Sequence, residues 1–437
     1  MENKEVKSLK INKFSQIISI FTSLILIIYF FYGFITDENS AGAGGYEGDF
    51  KLIWQNLLLL NEDIFQNIGS FEYNDSRPPL SYILHILINP FSNDQFLFRV
   101  STLIISLFVP LLLFFSIKQN YSNLDHNIVL LLSLIITLSP YFRTTAYWGL
   151  GENYGLVFLL ASHLVYLNFC KNIRTNNEVT NIFLIFILCL LSSLTIYFDQ
   201  KLIFLPTLIF ILILKMQMNI KLKIFTFVFY GLFSLPYIYL IFRWESIIPS
   251  SAASAREVGK IFEFYNIGYC LSILGFYIAP FLLCKNFNLL DLKKKIFEKR
   301  FLIIFLIFSL YLIFTNVLFD FNLIRNEGKG IFHKLFLIIF ENNDLRYFFT
   351  ILSFFVGLVF VILFFQSKND LIIILYFLTL SGVTFPFYQE YLDPLFYILI
   401  FSFFNVKLKI NLKNTYFITI YFLIFSIGSK YYYDLIL

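Results

Sequence analysis

Charge is scarce in this sequence. Only 14% of its 437 residues are Asp, Glu, Lys or Arg, against about 25% in an ordinary soluble domain, and no polar stretch is long enough to build a separate soluble domain. Disorder is excluded on the same composition, because a disordered chain needs low hydrophobicity. Cysteine is scarce too: Cys170, Cys189, Cys270 and Cys284 each sit inside or at the end of an apolar run, without a close pair. That spacing speaks against a zinc ribbon or a dense disulfide framework and reads as small buried hydrophobes. Among the four histidines, His85 and His333 lack a second His or Cys at metal-ligand spacing, which argues against zinc. His163 stands alone in an apolar run, where hydrogen bonding to a neighbouring helix is its expected use. The glycine-rich run 42–48 lacks the Gly-Lys-Ser/Thr of a phosphate-binding loop.

What the sequence does have is apolar length. Hydrophobic residues make up 58% and aromatic ones 21%. A bilayer-spanning helix takes roughly 20 apolar residues, and a transmembrane β-strand alternates over about 10, so continuous uncharged runs such as 301–318 speak for helices. Allowing for tilt, spans are expected at 14–36, 95–117, 127–140, 153–169, 181–198, 202–218, 222–241, 266–284, 301–318, 346–365, 371–386, 391–404 and 415–429. The expectation is an all-α integral membrane protein, one polytopic domain over 1–437 with about thirteen transmembrane helices. The first run follows Lys4, Lys7, Lys10 and Lys13. It is too long for the roughly 7–15-residue core of a cleaved signal peptide and reads as a retained span.

Lys and Arg concentrate on short loops of one side, as at Lys293, Lys294, Lys295, Lys299 and Arg300, while most acids fall on the other. By the positive-inside rule the N-terminus is cytoplasmic and, after thirteen spans, the C-terminus is outside. The net charge of +5 then averages two opposite surfaces and implies no nucleic-acid partner. Loops 37–94, 242–265 and 319–345 lie outside, and long loops are where function concentrates. Within the first, Phe50, Ile53, Trp54, Leu57 and Leu58 recur at helical spacing opposite Lys51, Gln55 and Asn56, the pattern of a helix lying in the interface. A second such stretch covers 331–340. Trp54, Trp148 and Trp244 fall at the outer boundary, where indole rings prefer to sit.

Few ionisable residues fall within the spans, which counts against an ion-coupled transporter. Acids gather instead at the outer ends: Asp37, Glu38, Glu47, Asp49, Glu152, Asp199, Glu390 and Asp393, with Arg77, Arg99, Arg143, Lys201, Arg243 and Arg346 at the same level. A carboxylate can take the proton of an attacking hydroxyl, and cations can stabilise a departing phosphate. Solvated outer loops have the same composition, so charge alone leaves both readings open. Two patterns are more specific. Gly48-Asp49-Phe50 opens the interfacial helix and is followed by Arg77-Pro78-Pro79-Leu80; the prolines fix an extended entry into a helix and hold Arg77 where an anion is favoured. Phe98-Arg99-Val100-Ser101 places a second arginine at the mouth of the next span.

This order of span, acid, interfacial helix, basic-Pro-Pro-Leu and Phe-Arg resembles the C-type (GT-C) membrane glycosyltransferases that use polyprenyl-phosphate sugars. The lipid A aminoarabinose transferases and protein O-mannosyltransferases are the nearest likeness, best over residues 37–160. The resemblance implies that Asp49, with Glu47 beside it, is a base or acceptor-orienting group, and that Glu152 is a second acceptor ligand. Arg77, Lys201, Arg243 and Arg99 would bind the donor phosphate. Arg77 stands where the family has Lys, and Ser76 where the aminoarabinose transferases have an acid; 389–394 only partly echoes a late Arg-Tyr. The implied partners are a polyprenyl-phosphate sugar donor, a lipid-linked glycan or other envelope acceptor, and membrane lipids. The implied location is a bacterial plasma membrane, with the active site facing the periplasm or exterior. No cofactor is implied, although a divalent ion on Asp37, Glu47 and Asp49 stays open from the residues themselves. Two other readings remain: a lipid-linked glycan flippase or exporter, which needs a polar groove through the spans, and a glycan polymerase or ligase that does not use a polyprenyl-monophosphate donor.

Overall fold

The computed structural model describes residues 13–42, 45–173, 178–252, 262–285, 298–318, 328–365, 367–384 and 387–435, and among them every regular element is helical. Two compact units divide the chain, one formed by 1–255 with 422–437 and the other by 256–421. The helices of the first are α1 (Lys13–Ile35), α2 (Lys51–Glu62), α3 (Ile64–Asn67), α4 (Leu80–Ile88), α5 (Gln95–Ser106), α6 (Phe108–Asn120), α7 (His126–Leu134), α8 (Pro140–Trp148), α9 (Glu152–Asn172), α10 (Glu178–Phe198), α11 (Phe204–Lys215) and α12 (Ile220–Trp244). The second contains α13 (Asn266–Leu282), α14 (Lys299–Leu318), α15 (Gly330–Ile339), α16 (Asn343–Phe364), α17 (Lys368–Val383) and α18 (Leu395–Phe401). The last helix, α19 (Leu412–Leu435), gives its residues from 422 onward to the first unit.

Six of these helical stretches are long and apolar enough to cross a membrane: α1, the continuous pair Gln95–Asn120, α9, α10, α12 and α16. A seventh forms if His126–Leu138 and Pro140–Trp148 count as one span, bent by 70°. Helix α1 shows why such a helix suits lipid. It exposes Phe14, Ile17, Phe21, Leu24 and Ile28, and turns Ser19, Ser23 and Gly33 inward with Leu26 and Phe30. Small and polar groups inside with apolar groups outside is membrane packing.

Two expected spans change character. The run 127–140 ends at the bend, where Ser139 caps α8 by accepting from the Phe142 amide at 3.0 Å and Pro140 occupies the first turn. The run 391–404 holds only the seven-residue α18, about 10 Å long against a hydrocarbon core of about 30 Å, and its residues from Leu395 to Phe401 are all buried. It is interior packing, not a span. Among the described residues the regular structure is thus all helical, and length and composition mark six or seven candidate spans. Residues 253–261 and 319–327 of the expected outer loops, the leading lysines Lys4, Lys7 and Lys10, and the basic run 286–297 lie outside the described residues.

In the first unit α10 packs on α9 and α12, α6 on α9, and α1 on α7; in the second, α13 packs on α16 and α17. His163 on α9 bonds Ser116 of α6 at 2.7 Å, the helix-bridging use expected of it. Cys189, Cys270 and Cys284 are buried and Cys170 is half-buried.

A buried ion pair fixes the start of the segment that follows α1. Arg143 on α8 donates Nε to Glu38 Oε1 at 2.8 Å and Nη2 to Oε2 at 2.7 Å, both side chains having no exposed surface. Its other donors reach the Thr137 and Tyr29 carbonyls, and the guanidinium lies 4.1 Å from the centre of the Tyr29 ring. Trp148 Nε1 donates to the Glu38 carbonyl at 3.1 Å. From α19, Ser429 donates to the Ser40 carbonyl at 2.6 Å and Lys430 stands 3.7 Å from Glu38. Breaking such a pair on one side leaves a buried charge alone, which costs about 3–5 kcal/mol. Glu38→Gln is therefore expected to lower thermal stability in detergent by that order, and Glu38→Leu with Arg143→Met to recover most of it. Equal melting of Glu38→Gln and the parent protein would refute the assignment.

Candidate functional site

The turn before α4 is built to present Arg77. Helix α2 buries Ile53, Asn56, Leu57 and Leu60 and leaves Leu58 exposed, so its inner face is rotated from the expected one and brings Asn56 inside. Asn56 explains the rotation: its Nδ2 donates to Leu52 O and Asn74 Oδ1, and its Oδ1 accepts from the Asn74 amide. Beyond Asn74, Asp75 is 2% exposed. Its Oδ1 accepts from the Arg77 amide at 3.0 Å and from Arg77 Nη1 at 3.2 Å, while Oδ2 accepts from the Tyr82 hydroxyl at 2.5 Å. The Tyr73 hydroxyl donates to the Arg77 carbonyl at 2.7 Å. Pro79 caps α4, as the sequence order predicts.

Helix α9 begins with the acid that Arg77 meets. Gly149, in the left-handed region at φ 78°, ends α8 and turns the chain into α9. Arg77 Nε and Nη2 each lie 2.7 Å from Glu152 Oε1, and Glu152 Oε2 is buried and accepts no hydrogen bond. Across from it, Asp199 caps the short helical turn Gln200–Ile203, accepting from the Lys201 amide at 3.0 Å, and its Oδ2 lies 2.9 Å from Lys201 Nζ. This turn comes close because Gly155 has no side chain: a Cβ there would stand 2.6 Å from Leu202 Cδ1. Gln200 closes the arrangement by donating Nε2 to the Ser76 carbonyl at 2.6 Å.

The electrostatics follow from burial. Tyr82 is held well above the usual phenol range by burial and by Asp75 beside it, so it stays a donor. Burial also pushes the Asp199 carboxyl up; the Lys201 ammonium pulls it down and Glu152 pushes it up again. Burial takes His85 on α4 down to about 4. His85 Nδ1 therefore accepts from Asn89 Nδ2 at 2.8 Å, leaving Nε2–H to donate to the Tyr154 hydroxyl at 2.5 Å.

Of the residues expected from sequence, Arg77, Glu152 and Lys201 converge. The others lie at neighbouring positions. Arg99 donates Nη2 to Asp37 at 2.6 Å and Nε to the Tyr147 carbonyl, with its guanidinium 4.2 Å from the centre of the Trp148 ring. Asp49 is half-exposed on the π-helical turn Tyr46–Phe50, whose Phe50 meets Trp54, Phe98 and Trp148. Glu47 on the same turn pairs with Lys51 at 3.5 Å, both largely exposed, a pair that contributes little. Arg243 is exposed at the end of α12 and donates to the Phe65 carbonyl at 3.4 Å. Next to it Trp244 stacks on Tyr73 at 6.5 Å. Asp75, Tyr82, Asp199 and Gln200 join the cluster without having been assigned from sequence. In the second unit, Gln389 of the partial echo accepts from the Ile331 amide at 2.9 Å, and burial brings Lys334 down to about 8, with Glu390 opposing. Among the described residues no three His, Cys, Asp or Glu side chains form a metal-binding set.

No family model, curated protein or solved structure matches this chain. One consequence of the site is testable without knowing the reaction. The unfolded chain protonates His85 near 6.5 and the folded chain only near 4, so stability present at neutral pH is lost as pH falls through that window. His85→Asn should remove this part of the acid sensitivity in pH-resolved melting; an unchanged slope would count against it.

Proposed function

We propose that this chain is a membrane glycosyltransferase that moves a sugar from a polyprenyl-phosphate donor to a lipid-linked glycan or other envelope acceptor, at the outer face of a bacterial plasma membrane. The observation that carries the reading is the Arg77–Glu152 ion pair, made through one carboxylate oxygen only and flanked by Lys201. Three separate segments, the Pro-Pro turn, the start of α9 and the turn after α10, bring together the groups such a transfer needs.

In this reading Arg77 keeps Glu152 ionised and fixes Oε1, so Oε2 is the atom that takes the proton of the acceptor hydroxyl. The acceptor oxygen bonds to the anomeric carbon as the bond from that carbon to the phosphate oxygen breaks, and the polyprenyl phosphate leaves with the electron pair. Asp49, on the loop before α2, orients the acceptor. Arg77 and Lys201 already face carboxylates, so the donor phosphate falls first to Arg243, which has no carboxylate partner among the described residues. Arg99 is held by Asp37.

General-base removal typically costs 10²–10⁴-fold in rate. Membranes carrying Glu152→Gln should lose about that much transfer of labelled sugar from the polyprenyl donor, and a wild-type rate would remove Glu152 from the base role. Arg243→Ala should raise the KM for donor more than it lowers kcat. Movement of a labelled glycan across vesicles without a new glycosidic bond would favour the flippase.

A further inference from the structure

Helix α12 contains Pro236 in its interior. A proline there has no amide to give the Leu232 carbonyl, and its ring crowds that carbonyl, so an α-helix opens or bends at such a point. One hydroxyl occupies the opening. Tyr197, near the end of α10, donates to the Phe233 carbonyl at 2.6 Å and accepts from the Tyr237 amide at 3.1 Å. Residues 233 and 237 supply the carbonyl and amide that an α-helix would join directly, so a side chain of one helix stands in the hydrogen-bond ladder of another. The Tyr197 and Tyr237 rings meet edge to face, with centroids 5.8 Å apart.

What lies beyond this insertion makes its direction matter. Past Pro236, α12 buries Leu240 and Trp244 and leaves Ile238, Tyr239 and Phe242 exposed, so apolar packing holds its last turns only lightly. They end in Arg243 and Trp244, whose surroundings are exacting. A Cβ on Gly69 would stand 2.8 Å from Arg243 Nε and 2.9 Å from Nη2, so the guanidinium lies directly against that glycine. The Trp244 indole donates to the Ile68 carbonyl at 2.7 Å and stacks on Tyr73, which in turn bonds the Arg77 carbonyl. Tyr237 reaches the chain that follows, donating its hydroxyl to the Ile247 carbonyl at 3.2 Å. A change of direction at residue 236 is carried to residue 244 over about 12 Å of helix.

We propose that the Tyr197 hydroxyl sets the direction of α12 beyond Pro236, and is thereby the positioning residue for Arg243 and for Trp244 against the turn that carries Arg77. The action runs through the helix. Its use in catalysis rests on the transferase reading, in which Arg243 takes the donor phosphate. In that reading one short segment serves two cations, because Lys201 stands on the turn just after the same end of α10.

Acrylamide quenching of tryptophan fluorescence, on the full-length protein in detergent, tests the placement without substrate. Trp244 is 3% exposed. Tyr197→Phe keeps the ring and removes only the hydroxyl; it should increase quenching, and the increase should vanish when Trp244→Phe is added. Ser192→Ala removes a different contact between α10 and α12, to the Tyr230 hydroxyl at 2.9 Å before the proline, and should leave quenching at the parent level. Pro236→Ala returns a donor to Leu232 and lets the ladder close, so it should raise quenching by itself, and Tyr197→Phe should add nothing to it. Unchanged quenching in Tyr197→Phe, an equal rise in Ser192→Ala, or additive effects of Tyr197→Phe and Pro236→Ala would overturn the proposal. In transfer of labelled sugar, Tyr197→Phe should raise the donor KM by a factor similar to that of Arg243→Ala, with a smaller effect on kcat, and the double variant should be no worse than Arg243→Ala alone. KM effects that multiply would overturn the positioning role. A wild-type protein that transfers no sugar refutes the transferase reading and leaves the quenching result to decide this one.

Discussion

Arg143 reaches no water, so its charge has to be met inside the protein, and the carboxylate that meets it belongs to the first residues after α1. That requirement fixes the path of the chain leaving the first span. Tyr29, Phe30, Glu38 and Ser40 are tied by it, and by the bonds around it, to α8 and to the last helix. The same logic recurs a short way along. Arg99, stacked on Trp148, holds Asp37, and Arg77 holds Asp75 and Glu152. Each arginine converts a loop, which would otherwise be free to move, into a fixed neighbour of a helix end. Bidentate guanidinium geometry suits this role better than an ammonium.

The candidate site is the member of this series in which a carboxylate oxygen is left over. At Arg143 one guanidinium meets both oxygens of Glu38, and Lys430 stands 3.7 Å from the same carboxylate. At Arg77 the guanidinium meets only one oxygen of Glu152, and the other has no hydrogen-bond donor. Interior packing alone selects for balance, since an unsatisfied polar group weakens the fold. An imbalance that the surrounding helices nevertheless hold in place is where chemistry has the most to work with.

Much of this was legible in the sequence, and the losses have physical causes. Arg77 was marked locally by its two prolines, whereas Glu152 and Lys201, two charges among several at the ends of apolar runs, were singled out by the family resemblance. Asp75 carries no local signal in the sequence, because only the turn set by Asn56 directs its side chain inward. Asp199 was seen as one acid among several, since no spacing rule discloses that Gly155 allows its turn to close on α9. The described residues supply six or seven candidate spans and do not confirm thirteen, because apolarity does not say whether a side chain meets lipid or protein. Leu395 to Phe401 reads like a membrane segment and is wholly interior. The rotation of α2 has the same origin: Asn56 is polar and buried because it has a partner, which composition cannot show.

The bonds that tie α1 and the segment after it to α19 span a long stretch of chain: Tyr29 meets Ser426 across 397 positions and Ser40 meets Ser429 across 389. Closing a loop of that size carries an entropic cost that grows only slowly with length, so thermodynamics tolerates it easily. Biosynthesis imposes a sharper constraint. During translation α1 and α8 emerge early and can form their ion pair while most later helices are still unmade. Glu38 gains Lys430 as a neighbour, and Ser40 its donor, only after residues 426–430 have been delivered to the membrane. The first unit thus joins segments translated hundreds of positions apart, and its completion waits for the helices between them to be made.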